Sequence, residues 1–208
     1  MIFPELRILV FARAPVAGAC KTRLVPRLGR AGAAAAQRKL TEHCLHHSGE
    51  AGLAPVELHA APDSRHGSFL RMRRRHRLRL RRQSGRDLGR RMSRAIAQAL
   101  AGCGGAIVIG TDCPAMDTFF LHQACAALRK HDAVLGPASD GGYVLIGLRR
   151  PEPRLFAGIA WGGPRVLAQT RRRLQRLGLS WRELPALWDV DTPRDWRRAR
   201  PLLRHGRR

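Results

Sequence analysis

Two aspartates stand where a scarce acid could do chemistry. Asp112 and Asp191 close the apolar runs Ile107-Val-Ile-Gly-Thr-Asp-Cys-Pro114 and Leu187-Trp-Asp-Val-Asp-Thr-Pro193, in a chain with 39 Lys+Arg and only 15 Asp+Glu. Loops at the ends of buried strands are where α/β proteins place ligand chemistry. Carboxylates held there in a basic surround suit a hard divalent cation, Mg²⁺ or Mn²⁺, that must itself meet phosphates. A third loop, Ala12-Arg-Ala-Pro-Val-Ala-Gly-Ala-Cys-Lys-Thr-Arg23, offers Gly18 for close backbone approach to an anion and Arg13, Lys21 and Arg23 as phosphate-binding cations. It is not a Walker A loop, because Cys20 precedes Lys21-Thr22 and Gly18 is misplaced, and no G-x-G-x-x-G follows the first strand. Read together, the three loops point to a metal-assisted transferase acting on an activated nucleotide, with Asp112 and Asp191 sharing the metal and Lys21 on the phosphates.

The elements that must position these loops follow from periodicity. Short apolar runs at Arg7–Ala12, Val56–Ala60, Leu78–Leu80, Ala106–Gly110, Asp132–Gly136, Tyr143–Leu148 and Leu179–Leu184 predict strands. Helical faces recur between them: Leu88, Met92, Ala95, Ile96, Ala99 and Leu100; then Leu121, Ala124, Cys125 and Leu128 behind an Asp117 or Thr118 cap. Val166, Leu167, Thr170, Leu174 and Leu177 follow Pro164 as a first-turn residue, and Thr192-Pro-Arg-Asp195 reads as a capping box. Strands alternating with helices predict a mostly parallel, mixed sheet covered on both faces, in one α/β domain over residues 1–208. The Arg-rich stretch 63–82 is expected to be peripheral, and residues 204–208 to fray.

Composition narrows the partners. The formal net charge is +24, but three lysines leave 36 arginines, a bias of the kind GC-rich coding produces. Around Arg71–Arg82 the nearest aromatic is Phe69, whereas single-strand binders need stacking platforms. Specific nucleic-acid binding is therefore not expected, although salt-sensitive adhesion to polyanions is. The five cysteines form no C-x-x-C pair and suit reduced thiols in the cytoplasm. No apolar run is long enough for a membrane span, and charges at the N-terminus argue against a signal peptide. His43, His46 and His47 have helical spacing without further ligands nearby, and are expected on a solvated face.

Phe11-Ala-Arg-Ala-Pro-Val-Ala-Gly-Ala-Cys-Lys-Thr-Arg-Leu24 resembles the opening signature of the DUF2064 group of glycosyltransferase-A-fold proteins, described as transferases associated with radical-SAM and selenium-domain proteins. Gln83-Ser-Gly-Arg-Asp-Leu-Gly-Arg-Arg-Met92, Gly110-Thr-Asp-Cys-Pro114, Gly136-Pro-Ala-Ser-Asp-Gly-Gly-Tyr143 and Asp189-Val-Asp-Thr-Pro193 continue the resemblance in order, over about residues 7–198. It implies a single-domain, Rossmann-like glycosyltransferase-A fold. It is also similar to the phospholactate and molybdenum-cofactor guanylyltransferases, implying nucleotide phosphates on the first loop and Lys21, and magnesium on Asp112 and Asp191. On the same footing Asp87 would touch ribose or base, the alternative being a helix N-cap beside Leu88. Gly141 and Gly142 either admit the ligand to the backbone or simply make a tight turn, and Asp140 is the candidate base should a glycosyl group be transferred. The substrates would be a nucleotide and a small acceptor, with Trp161 the tryptophan closest to the acceptor. Three departures stand out: Trp161-Gly-Gly-Pro164 for Trp-Ser-Thr-Pro, Arg86 for a glycine, and Cys113 for a serine.

Overall fold

The computed structural model describes residues 1–50 and 52–203, so the expectation for 204–208 lies outside the described residues. Seven strands form one sheet: β1 (Leu6–Arg13), β2 (Val56–Ala61), β3 (Arg79–Arg82), β4 (Gly105–Gly110), β5 (Ala133–Pro137), β6 (Tyr143–Leu148) and β7 (Trp181–Glu183), in the order β3-β2-β1-β4-β6-β5-β7. Only β6 runs antiparallel to its neighbours, because a tight turn after β5 sends the chain straight back. The helices are α1 (Val25–Glu50), α2 (Gly67–His76), α3 (Leu88–Leu100), α4 (Thr118–Lys130), α5 (Val166–Arg176) and α6 (Pro193–Ala199). The mostly parallel mixed sheet expected from the sequence is thus the one observed.

Alternation along β1 explains the layering. Ile8 and Val10 face a core shared with Cys44 and Leu45 of α1, Phe69 of α2 and Leu121 of α4. Leu9 and Phe11 face the opposite core, with Met92 and Ile96 of α3 and Leu174 of α5. A strand buried on both sides needs helices on both sides, hence its continuous apolar run. From β1 the chain winds outward through β2 to β3, then returns to lay β4 on the other flank of β1. The winding therefore reverses between β1 and β4, which opens a crevice at the carboxyl ends of these two strands.

The Arg-rich stretch is built into the sheet rather than appended to it. Phe69 and Met72 of α2 are buried, while Arg71, Arg73, Arg74 and Arg75 are exposed and β3 pairs in parallel with β2. Beside this edge lies a buried acid, Glu57. Arg7 donates to it at 2.9 Å, Arg81 at 2.7 Å, and His59 Nε2 lies 3.4 Å away. Burial pushes this carboxyl up, but the three partners outweigh it and hold it down at about 2. A depressed folded-state value stabilises the protein above the unfolded value of 4.5, and that contribution is lost as pH falls toward 2. Glu57→Gln is accordingly expected to cost about 2 kcal/mol at neutral pH and little near pH 2. Urea denaturation at both pH values checks this, and an equal loss at each would refute it.

Two local expectations are corrected. Pro164 precedes the α5 cap, Arg165, rather than occupying the first turn, because Gly162 and Gly163 carry the chain into it. His43 is buried and hydrogen-bonds through Nε2 to the Pro114 carbonyl at 3.0 Å, so it is not on a solvated face. It points inward because α1 packs against α4 and the loop before it.

Candidate functional site

The crevice between β1 and β4 is a cleft of about 880 Å³. The first loop forms one wall. Its turns close through Val16 N–H to the Ala14 carbonyl and Ala19 N–H to Val16, with Gly18 at φ +82. Lys21 then adopts the left-handed region at φ 46, ψ 44, a costly conformation for a residue with a Cβ. The chain recovers in a 3-10 turn, Thr22–Leu24, anchored by fully buried Leu24.

That left-handed residue carries its side chain inward. Lys21 Nζ lies 2.9 Å from Asp112 Oδ2 and donates to the Val190 carbonyl at 2.7 Å, with only 5% of the side chain exposed. One ammonium thereby joins the loops that follow β1 and β4 to the segment preceding α6. Asp112 is fixed from several sides. Its backbone carbonyl accepts from Val190 N–H at 2.9 Å, and neighbouring Thr111 accepts from the buried amide of Gln37 at 3.2 Å. Asp112 Oδ1 is buried without a hydrogen-bond partner. A buried carboxylate oxygen of this kind beside a cleft fits a cation or a donor, since leaving it unpaired is costly.

The segment 187–191 reaches the cleft by ladder-like bonds. Leu187 N–H donates to Pro137 and Ser139 N–H donates to Leu187, extending β5 by one parallel bridge. Val190 turns away from the cleft into a small core with Leu24, Leu40 and Trp196, so its neighbours Asp189 and Asp191 both face the cleft. The α6 capping box secures the far end: Asp195 accepts from the N–H groups of Thr192 at 2.8 Å and Asp191 at 3.2 Å.

The two acids differ. Asp191 is half-exposed, and its carboxylate takes Arg23 at 3.1 Å. Asp189 is the more enclosed: burial, then repulsion from Asp112, Asp140 and Asp191, pushes its carboxyl up to about 7 despite Lys21 nearby. Asp189, which pattern reading did not single out, thus lines the cleft with Asp112 and Asp191 and is the more enclosed of the two acids on its segment. Among the described residues no group of three or more His, Cys, Asp or Glu side chains is arranged to hold a metal. Two carboxylates suffice for Mg²⁺ when substrate phosphates and water complete the shell.

The remaining candidates divide. Arg13, Lys21, Arg23, Asp112 and Asp191 line the cleft together with Gln83, Arg91 and Tyr143. Gln83 ties the sheet edge to the site by donating to the His59 carbonyl at 2.8 Å and that of Ala12 at 3.3 Å. Gly18 shapes the first loop without lining the cleft. Asp87 caps α3, accepting from Arg90 N–H at 2.8 Å, and borders a neighbouring cavity instead. Gly85, at φ +145, takes up the unusual backbone of its turn, and Arg86 needs no positive φ. Asp140 Oδ1 accepts from Gly142 N–H at 2.9 Å, and the place a Cβ would need at Gly141 is filled by the Pro164 carbonyl. Those glycines make a tight turn packed on the loop before α5. Cys113 is inert, its thiol pushed up to about 12 by burial.

Comparison with known proteins agrees with this geometry. Residues 44–163 match the family model described as an uncharacterized protein conserved in bacteria, DUF2064. The chain superposes on a Desulfovibrio desulfuricans G20 protein, provisionally named a nucleotide-diphospho-sugar transferase, with a TM-score of 0.84 and 31% identity over 91% of this chain and 84% of that one. The 4-diphosphocytidyl-2C-methyl-D-erythritol synthase of Anaerococcus prevotii DSM 20548 has the same fold (TM-score 0.64, 10% identity, 97% and 99% covered). So does Rv0371C of Mycobacterium tuberculosis H37Rv, in complex with manganese (TM-score 0.54, 16% identity, 94% and 97% covered). No functionally curated protein matches the sequence. With a family model covering more than half its length and a relative of the same fold at 31% identity, the chain belongs to the DUF2064 family.

Proposed function

We propose that this protein is a divalent-metal-dependent transferase that binds a nucleoside triphosphate in the β1–β4 cleft and passes its nucleotidyl group to a small phosphorylated or hydroxylic acceptor. The observation that carries this reading is the juxtaposition of Lys21, Asp112 with its orphaned Oδ1, and enclosed Asp189 at the point where the winding reverses. Asp112 and Asp189 would hold Mg²⁺ or Mn²⁺, with Asp191 beside them; the bound ion would offset charge on the phosphates. Arg13 and Arg23 at the cleft wall and Lys21 beneath it would orient the triphosphate and stabilise charge on the departing group. An acceptor oxygen forms a bond to the α-phosphorus as the bond to pyrophosphate breaks, the electron pair leaves with pyrophosphate, and a hydroxylic acceptor gives up its proton to water. The manganese complex and the cytidylyl-transferring relative on the same fold support this reading.

The D. desulfuricans relative's name favours a second reading, transfer of a sugar from a nucleoside diphosphate. The acceptor would then attack an anomeric carbon, and exposed Asp140, with Oδ2 outside its own turn's hydrogen bond, would take the proton.

A thermal-shift series with the four nucleoside triphosphates and common nucleotide-sugars, each with and without Mg²⁺, separates the readings. A ligand at 100 times its Kd should stabilise by about 2.7 kcal/mol. Metal-dependent stabilisation by an intact triphosphate is expected. Preference for a nucleotide-sugar would transfer the assignment to the second reading, and stabilisation by heparin or DNA alone would overturn both.

A further inference from the structure

A second cavity, of about 500 Å³, lies beside the first turn of α3. Leu88 and Arg91 of that turn line the nucleotide cleft, whereas Asp87 and Arg90 line this cavity, so one turn of helix separates the two. Trp161 forms part of its wall and meets Tyr143 edge-on, with ring centroids 6.4 Å apart; Tyr143 in turn lines the cleft. The walls are apolar, with Phe156 and Ile159 nearly buried behind the opening. Two arginines and one acid line its rim: Arg90 lies 3.7 Å from Asp87, and exposed Arg94 donates to Ser84 at 3.0 Å.

The wall itself depends on a glycine. Gly89 is buried in the first turn of α3. A Cβ at Gly89 would overlap the indole, falling 2.7 Å from Trp161 Nε1 and Cε2. The missing side chain lets the tryptophan lie flush on the helix and form the boundary between cavity and cleft.

We propose that this cavity is the acceptor site, taking a small molecule with an apolar body and an anionic group. Apolar walls bury the body, Arg90 and Arg94 pair with the anion, and the Trp161–Tyr143 contact sets how the acceptor meets the cleft. A group transfer needs a second site adjoining the first, so this assignment rests on the nucleotide-transfer reading. The anion could be a phosphate or a carboxylate, because planar guanidinium groups recognise both.

Matched probes test the assignment: 1-naphthyl phosphate, 1-naphthoate and neutral 1-naphthol, with binding measured by calorimetry. The wild-type protein is expected to bind both anions more tightly than 1-naphthol, and whichever anion is tighter identifies the natural group. Arg90→Gln with Arg94→Gln should weaken the anions about tenfold while leaving 1-naphthol unchanged. Gly89→Ala and Trp161→Leu should weaken all three probes. Arg73→Gln with Arg74→Gln and Arg75→Gln, on the outer surface of α2, should change none. The Mg²⁺-triphosphate thermal shift should persist in the Arg90/Arg94 variant, and triphosphate should not displace 1-naphthyl phosphate. Absence of wild-type anion binding, anion affinities indifferent to Arg90/Arg94 and Trp161, or displacement by triphosphate would each overturn the acceptor site. Probe binding as expected in a protein that no nucleotide stabilises would instead keep the anion-binding cavity and remove the transferase reading.

Discussion

Asp189→Asn is expected to raise the melting temperature of the ligand-free protein at pH 8 while abolishing metal-dependent nucleotide binding. Burial and the facing acids push the Asp189 carboxyl from the ordinary 3.8 up to about 7. A raised carboxyl contributes its full share of stability below the unfolded value and loses it as pH rises through the folded one. At pH 8 the native protein therefore carries an ionised group that its surroundings resist. Asparagine removes that charge, and the gain should be on the order of 2 kcal/mol after allowance for screening by the open cleft. At pH 4 the gain should nearly vanish. Asp112→Asn should also abolish metal-dependent binding but should not stabilise, because it leaves Lys21 without its carboxylate partner. Calorimetric scans at the two pH values, with Mn²⁺-triphosphate titrations, provide the check. A variant that binds metal-nucleotide as the parent does would remove Asp189 from the site.

Lys21→Ala is expected to damage both affinity and stability. Nucleotide binding should fall at least about tenfold, about 1.4 kcal/mol. Stability should fall by about 1–3 kcal/mol, since the ammonium is buried between Asp112 and the Val190 carbonyl while the carboxylate is part-exposed. Lys21→Gly should lose the same affinity but recover part of the stability, because alanine is strained at φ 46 and glycine is not. Lys39→Ala, at an exposed position on α1, should do neither. If alanine and glycine at position 21 proved equally stable, the left-handed conformation would be wrong. If affinity survived in both, Lys21 would be a strut rather than a phosphate ligand.

Much of this architecture was legible because it depends on local pattern. β6 was placed residue for residue, and α3 and the α6 capping box emerged at their expected positions, because periodicity and caps are properties of neighbouring residues. The Arg-rich stretch was harder. Its strand has a single apolar residue, Leu80, between arginines, and it exists through pairing with β2 and the charge of Glu57. The different settings of the two aspartates were not legible either. Asp189 and Asp191 share one side of an extended segment, and what distinguishes them is distant in sequence: Asp112 and Asp140 face enclosed Asp189, and Arg23 pairs with Asp191. The role of Gly141 was similarly hidden, because its close neighbour, the Pro164 carbonyl, belongs to another loop. Lys21 could be singled out by its loop, but its resting partner could not, since an ion pair to Asp112 depends on where β4 lies.

Val190 links these distant parts, accepting from Lys21 across 169 residues and packing beside Trp196 of α6. A seven-residue helix such as α6 does not persist alone. Were α6 to leave the body, Val190 would lose its packing against Trp196, and the carbonyl that accepts from Lys21 would lose its anchor. On the proposed function, a nucleotide whose metal is held by Asp112 and Asp189 would favour the docked helix in turn. Amide exchange along residues 187–200 should slow when the cleft fills, although α6 itself lies behind the first loop. During synthesis the same dependence means that a chain with β1 to β7 already paired still lacks this anchor of residues 187–191 until Trp196 has emerged and found Leu24.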